Sequence, residues 1–159
     1  MQTSSPSTAA TSIDSADLQE LTNAVATAFS QRGWTLAVAE SCTGGLLAAN
    51  LTDLAGSSQW FERGYVTYSN AAKVACLQVS PMLIEAEGAV SEAVASAMVL
   101  GAQLSSGVTA AISITGIAGP SGGTAAKPVG TLCFGWALNR GDVSNKITTT
   151  TANIMGDRQ

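Results

Sequence analysis

WTLAVAESCTGGLLAANL, residues 34–51, contains the change of pattern that decides the fold. Its first six residues, Trp34 to Ala39, form a short apolar run, the pattern of a strand buried on both faces. The run stops at Glu40-Ser41-Cys42-Thr43-Gly44-Gly45, a polar turn ending in two glycines, and a helical stretch from Leu46 to Leu51 follows. The same alternation extends outward in both directions. Upstream, Leu18, Leu21, Val25 and Phe29 fall on one face of a helix starting near Ala16, with Asp14 or Ser15 as its cap and Gly33 at its end. Downstream, Gly56-Ser57-Ser58 breaks the chain before Phe61 to Tyr68, rich in aromatic and β-branched residues, and a helix follows from Asn70 to Leu77. Ser80-Pro81 opens a short helix that Gly88 closes. Ser91 caps a longer one whose shared face is Val94, Ala97, Met98, Gly101 and Leu104. Val108 to Thr115 is a second buried-strand candidate. Val129 to Leu138 and Val143 to Thr151 read as two strands turning at Asn139-Arg140-Gly141-Asp142. Strands alternating with helices, then a late hairpin, predict an α/β protein: a three-layer α/β/α sandwich around a mixed sheet.

Composition bounds the chemistry. A chain of 159 residues suits one domain. Its first twelve residues, MQTSSPSTAATS, are polar and uncharged, so residues 1–15 read as a disordered lead-in to a domain at 16–159, not as a signal peptide. Seven Lys+Arg against eleven Asp+Glu give a net charge of −4, which argues against a broad nucleic-acid surface. No apolar run reaches the roughly 18 residues a membrane span needs. The three cysteines, Cys42, Cys76 and Cys133, are too few and too widely spaced for a disulfide framework. They read as reduced thiols in a cytoplasmic protein, with Cys76 and Cys133 in the core. Trp34, Trp60 and Trp136 read as packing residues. The chain contains no histidine. That excludes a Ser-His-Asp triad, a Cys-His dyad and a histidine-ligated zinc, and leaves acid-base work to Lys, Tyr, Asp, Glu, Cys or water.

In α/β sheets ligands bind beyond the carboxyl ends of parallel strands, and three loops of this chain qualify. Glu40 to Gly45 matches neither the Walker A spacing nor the nucleophile elbow. Its glycines and helix start suit either a cradle for an anion or oxyanion, or simple capping by Ser41 or Thr43. In Tyr68-Ser69-Asn70-Ala71-Ala72-Lys73, capping by Ser69 or Asn70 puts Lys73 near the start of a helix. The macrodipole there disfavours its charge, and burial would push its pKa further down towards that of a useful base. The bland alternative is a solvated surface lysine. Thr115 to Gly123 is a third glycine-rich segment, either a plain turn or a source of backbone donors, with Lys127 able to add positive charge at its mouth.

AESCTGG (39–45), GSSQWFERGYVTYSNAAK (56–73), GAVSE (88–92), TGIAGPSGG (115–123) and KPVGT (127–131) together resemble the CinA C-terminal domain family, over roughly residues 18–158. The resemblance implies a mixed, mostly parallel five-stranded sheet, often in a dimer, and hydrolysis of nicotinamide mononucleotide to nicotinic acid mononucleotide and ammonia without metal or other cofactor. Such an activity belongs to pyridine nucleotide salvage. The family's nucleophilic serine falls on Ser41, its lysine on Lys73 and its tyrosine on Tyr68. Cys42, Thr43, Gly44, Gly45, Asn70, Thr115, Gly116 and Arg158 are the expected substrate-binding residues. In the family a long helix follows a Gly-Asp-Arg segment. Here Gly156-Asp157-Arg158 is followed only by Gln159, so the domain is expected to lack that helix and to hold Arg158 weakly. The alternative reading, from another class, is a catalytically weak nucleotide-binding or protein-interaction module.

Overall fold

The computed structural model describes residues 14–139, 141 and 146–154. The lead-in at 1–13, the turn residues Arg140 and Asp142 to Asn145, and the expected Arg158 lie outside them. Helix α1 (Ser15–Arg32) begins where its pattern predicts. Of its two candidate caps, Asp14 is the one used: its carboxylate accepts from the Asp17 amide at 2.8 Å, and the Asp17 carboxylate accepts from the Asp14 amide. This reciprocal box satisfies two amides that the helix leaves unpaired. Ser15, assigned to the lead-in, is therefore already helical.

One sheet runs in the order β2-β1-β3-β4-β5, built from β1 (Leu36–Glu40), β2 (Phe61–Val66), β3 (Ala110–Gly116), β4 (Thr131–Leu138) and β5 (Lys146–Asn153). Strand β1 pairs in parallel with both β2 and β3, whereas β4 and β5 add by antiparallel pairing. Parallel neighbours need crossovers. The first, from β1 to β2, carries α2 (Leu46–Thr52) and a 3-10 turn at Ser57–Gln59. The second, from β2 back past β1 to β3, carries α3 (Asn70–Leu77), α4 (Pro81–Glu87) and α5 (Glu92–Ser106). The two crossovers travel in opposite directions, so right-handed connections place them on opposite faces of the sheet. Strand order thus reverses at β1, which opens a crevice beyond its carboxyl end.

The faces follow from strand alternation. Leu36 and Val38 of β1 pack with Leu51 and Trp60, backed by Val25 and Phe29 of α1. Ala37 and Ala39 pack the other way, against Leu77 of α3 and Val94, Met98 and Val99 of α5. The buried face of α5 is rotated from the expected one: Val94, Ala95, Met98, Val99 and Ala102 are buried, while Leu104 is 68% exposed. Gly101 explains the rotation, because a Cβ there would overlap the Leu77 carbonyl oxygen. It marks the close approach of α5 to α3, not to the sheet. Two further expectations are corrected. Cys76 is exposed, since the inward side of α3 is taken by Lys73 and Leu77, whereas Cys133 is buried as expected. Strand β5 runs on to Asn153, past its expected end at Thr151, and its expected first residues, Val143 to Asn145, lie outside the described residues. Among the described residues no helix is long and apolar enough to cross a membrane.

Candidate active site

Alternation along β1 also sorts the two polar residues at its end. Glu40 follows Leu36 and Val38 onto the α2 side, and Ser41 follows Ala37 and Ala39 onto the α3 side. The Ser41 amide still donates to the Ile114 carbonyl of β3 at 2.9 Å, so the serine is held as a continuation of the strand. On the neighbouring strand, the Thr67 amide donates to the Glu40 carbonyl at 2.7 Å, which ends β2 beside β1. Ser69 then caps α3, its hydroxyl accepting from the Ala72 amide at 3.0 Å. One turn into that helix, Lys73 points back over the strand ends.

Lys73 is 1% exposed. Its Nζ lies 2.9 Å from Ser41 Oγ, 2.9 Å from the Thr67 carbonyl and 3.5 Å from the Tyr68 carbonyl. Among the described residues no carboxylate pairs with it; the one ion pair found there joins Arg63 to Glu62 on β2. Burial pushes the Lys73 pKa below the usual lysine value, against a smaller opposing influence of Cys42. Burial disfavours its charged form relative to the neutral amine. A neutral amine has two N–H donors and one lone pair. In that form it could keep two donors on the Thr67 and Tyr68 carbonyls and turn its lone pair to the Ser41 hydroxyl, to which Nζ donates in this structure. The solvated-lysine reading is excluded by this burial.

A cavity of about 260 Å³ opens over the pair, lined by Ser41, Cys42, Tyr68, Asn70, Lys73, Thr115 and Gly116 among others. Seven of the expected site residues therefore meet in one place. Gly116 is required by crowding: a Cβ there would lie 2.7 Å from the Thr131 carbonyl and 3.1 Å from Cys42 Sγ. Thr115 is buried, and its hydroxyl donates to the Ala89 carbonyl at 2.8 Å, tying the end of β3 to the Gly88-Ala89-Val90 segment. Ala89 and Val90 also line the cavity and were not singled out in the sequence as contact residues, whereas Ile117 to Gly119 line it from the Thr115–Gly123 segment that was.

Thr43, Gly44 and Gly45 do not line it. The Gly44 amide donates to the Ser41 carbonyl at 3.1 Å, and the Gly45 amide donates to Glu40 Oε2 at 3.1 Å. Those donors are already engaged within the turn. Glu40 is the residue that pattern reading undervalued: 1% exposed, it also accepts from the Leu47 amide at 3.0 Å and the Ala48 amide at 2.8 Å. The signal was a carboxylate at the end of an apolar run, directly before a helix. Arg158 lies outside the described residues. Among the described residues no group of three or more Cys, Asp or Glu side chains is placed to hold a metal ion.

The CinA C-terminal domain model matches residues 18–159. The chain belongs to the CinA C-terminal domain family. It is 49% identical over 142 residues to the nicotinamide-nucleotide amidohydrolase PncC of Enterobacter agglomerans, covering 89% of this chain and 84% of that protein. A CinA-like protein of Chlorobium limicola is 55% identical over 123 residues, which are 77% of this chain but only 29% of that longer protein. In three dimensions the chain resembles a competence-damaged protein (CinA) superfamily protein of Escherichia coli. That match has a TM-score of 0.83 at 34% identity and covers 92% of this chain and 83% of that one. The three-layer α/β fold with its mixed sheet is thus the fold of this family's solved structures.

Proposed function

We propose that this family member is a nicotinamide-nucleotide amidohydrolase in which Ser41 is the nucleophile and Lys73 its base. The observation that carries the reading is the 2.9 Å approach of a buried lysine amine to the serine hydroxyl. The similarity to the nicotinamide-nucleotide amidohydrolase PncC along most of both chains supports a nicotinamide nucleotide as substrate, here read as nicotinamide mononucleotide cleaved to nicotinic acid mononucleotide and ammonia. Ser41 Oγ attacks the carboxamide carbon as its proton passes to the neutral Lys73 amine. A C–O bond forms and the carbonyl becomes an oxyanion. With the Gly44 and Gly45 amides engaged, that oxyanion falls to the cavity wall itself, the Cys42 end of the turn and the end of β3 at Gly116. Collapse breaks the C–N bond, and the proton held by Lys73 leaves with ammonia, Tyr68 serving as relay at the mouth. Water then attacks the ester, Lys73 takes its proton, and Ser41 regains one as the acid departs. The balance closes with one water consumed and one ammonia released, in the manner of a salvage step for pyridine nucleotides.

The deciding experiment is ammonia release from nicotinamide mononucleotide by wild type, Ser41→Ala and Lys73→Ala side by side. Turnover by the wild type and a loss of about 10³-fold or more in each variant are expected, because nucleophile and base act as a unit. Full activity in Ser41→Ala would sink the covalent mechanism. Nucleotide binding by calorimetry without turnover in the folded wild type would support a binding module instead.

A further inference from the structure

Glu40 and Lys73 are both buried, and they flank Ser41 without touching each other. The Glu40 side chain turns away from the cavity, and its two carboxylate oxygens accept three amides, from the Gly45 cap and from Leu47 and Ala48 of α2. The three bonds act on two parts of the site. The Gly45 contact closes the Ser41–Gly45 turn back on the residue before the nucleophile. The Leu47 and Ala48 contacts hold the first turn of the helix that the nucleophile turn leads into. Glu40 acts through its main chain as well. Its carbonyl accepts the Thr67 amide at 2.7 Å and the Thr67 hydroxyl at 3.4 Å, and the Thr67 carbonyl accepts from Lys73 Nζ at 2.9 Å. One residue therefore joins both catalytic turns, the serine's through its side chain and the lysine's through its carbonyl.

We propose that Glu40 is the positioning residue of the Ser41–Lys73 pair, its carboxylate locking the nucleophile turn onto α2 while its carbonyl holds Thr67 beneath Lys73. This rests on the serine-lysine reading of the site. A carboxylate suits the position because all three neighbours are donors. In an amide side chain one oxygen is replaced by an NH₂ that would face an amide N–H, with no acceptor to meet it. The arrangement has a second consequence. Because the start of α2 is already filled by a carboxylate of this chain, the substrate's phosphate binds elsewhere in the cavity, and weakening Glu40 leaves nucleotide affinity intact.

The test uses a readout that does not depend on the substrate's identity: covalent labelling of Ser41 by a sulfonyl fluoride, followed by intact mass. In that step the serine oxygen bonds to sulfur, fluoride leaves, and the hydroxyl proton passes to the base. Glu40→Gln is expected to label at least about tenfold more slowly than wild type, since small misplacements of a reacting group carry penalties of that size or larger. Its affinity for nicotinic acid mononucleotide, measured by calorimetry, is expected to change less than about twofold, the split P-loop-like anchoring would not show. If Glu40→Gln does not fold, Glu40→Asp carries the comparison, retaining the charge but withdrawing it by one methylene. Labelling as fast as wild type overturns the proposal. So does a loss of affinity as large as the loss of labelling, which would mean general damage to the cavity. No labelling of wild type at Ser41 removes the serine-lysine reading and this proposal together, whereas a labelled wild type and an equally labelled variant remove only the proposal.

Discussion

Lys73 Nζ and Ser41 Oγ approach to 2.9 Å although 32 residues separate them in sequence. The approach is set by strand register. Glu40 pairs with Val66 at the ends of two parallel strands, so the turns that follow start side by side. Alternation sends Ser41 to the face on which α3 begins, and the Ser69 cap fixes where along that helix Lys73 falls. A slip of one residue between β1 and β2 would place the serine on the opposite face. The Ser41–Lys73 approach is thus a consequence of sheet geometry before it is one of any loop.

The pH dependence of turnover follows from the direction in which burial moves Lys73. In the proposed mechanism the working form is the neutral amine, so kcat/KM should rise with pH along one limb as Lys73 loses its proton. The midpoint of that limb should lie below the ordinary lysine value of about 10.4. Lys73→Arg should abolish the limb along with activity, because a guanidinium does not deprotonate in this range. A pH-rate profile with its midpoint at the ordinary lysine value would contradict the assignment.

The same shift has a signed effect on stability. A lysine whose folded pKa lies below its unfolded one binds fewer protons when folded, so its burial costs most at low pH and least above the unfolded value. Lys73→Met removes the buried amine while keeping an unbranched side chain of similar length. Its melting temperature should therefore exceed that of wild type at neutral pH, with the gain shrinking as pH rises towards the unfolded lysine value. Activity should be lost throughout. Thermal melts of both proteins across that range check the sign, and a gain that grows with pH would refute it.

Much of this was legible in the sequence, because the strongest signals were local. Asp14 or Ser15, Ser69 or Asn70, and Ser91 announced helix starts, and the apolar run ending in Glu40-Ser41 announced the central strand and pointed to the candidate site beyond it. Motif resemblance named Ser41, Lys73 and Tyr68. Tertiary facts were less legible. Periodicity gave α5 a plausible face but not the one it buries, because the Gly101 contact with Leu77 depends on how α3 packs. Cys76 looked like core because apolar content does not say which side of a short helix faces inward. The glycines of the 40–45 turn looked like ligand donors, since nothing in their pattern shows that Glu40 and the Ser41 carbonyl already hold their amides.

Gly116→Ala tests the crowding at the end of β3. The added methyl would press on the Thr131 carbonyl, the Leu132 side chain and Cys42 Sγ at once. Backbone on one side and the nucleophile turn on the other leave it little room. Overpacking of this kind costs about 1–3 kcal/mol. Denaturant titration should show that loss, and turnover should fall more than stability alone requires because Cys42 adjoins Ser41. A variant with wild-type stability and turnover would show that the walls of the cavity yield more than their packing implies.

Glu92 provides a pH-dependent clasp between α5 and β5. Its carboxylate, in the first turn of α5, accepts from the hydroxyls of Thr149 at 2.7 Å and Thr151 at 2.9 Å on the edge strand β5. These hydrogen bonds, Thr149 first, draw its pKa below the usual carboxylate value. A depressed folded pKa gives stability that is present above the unfolded value and is lost as pH falls through the folded one. Glu92→Gln should therefore be less stable than wild type at neutral pH, and the difference should close on acidification through the carboxylate range. Hydrogen exchange should locate the loosening in β5, the strand the clasp secures, while amides in β1 and β3 keep their protection. Equal urea midpoints for the two proteins at neutral pH would show that the two threonines hold β5 no better with a carboxylate than without one.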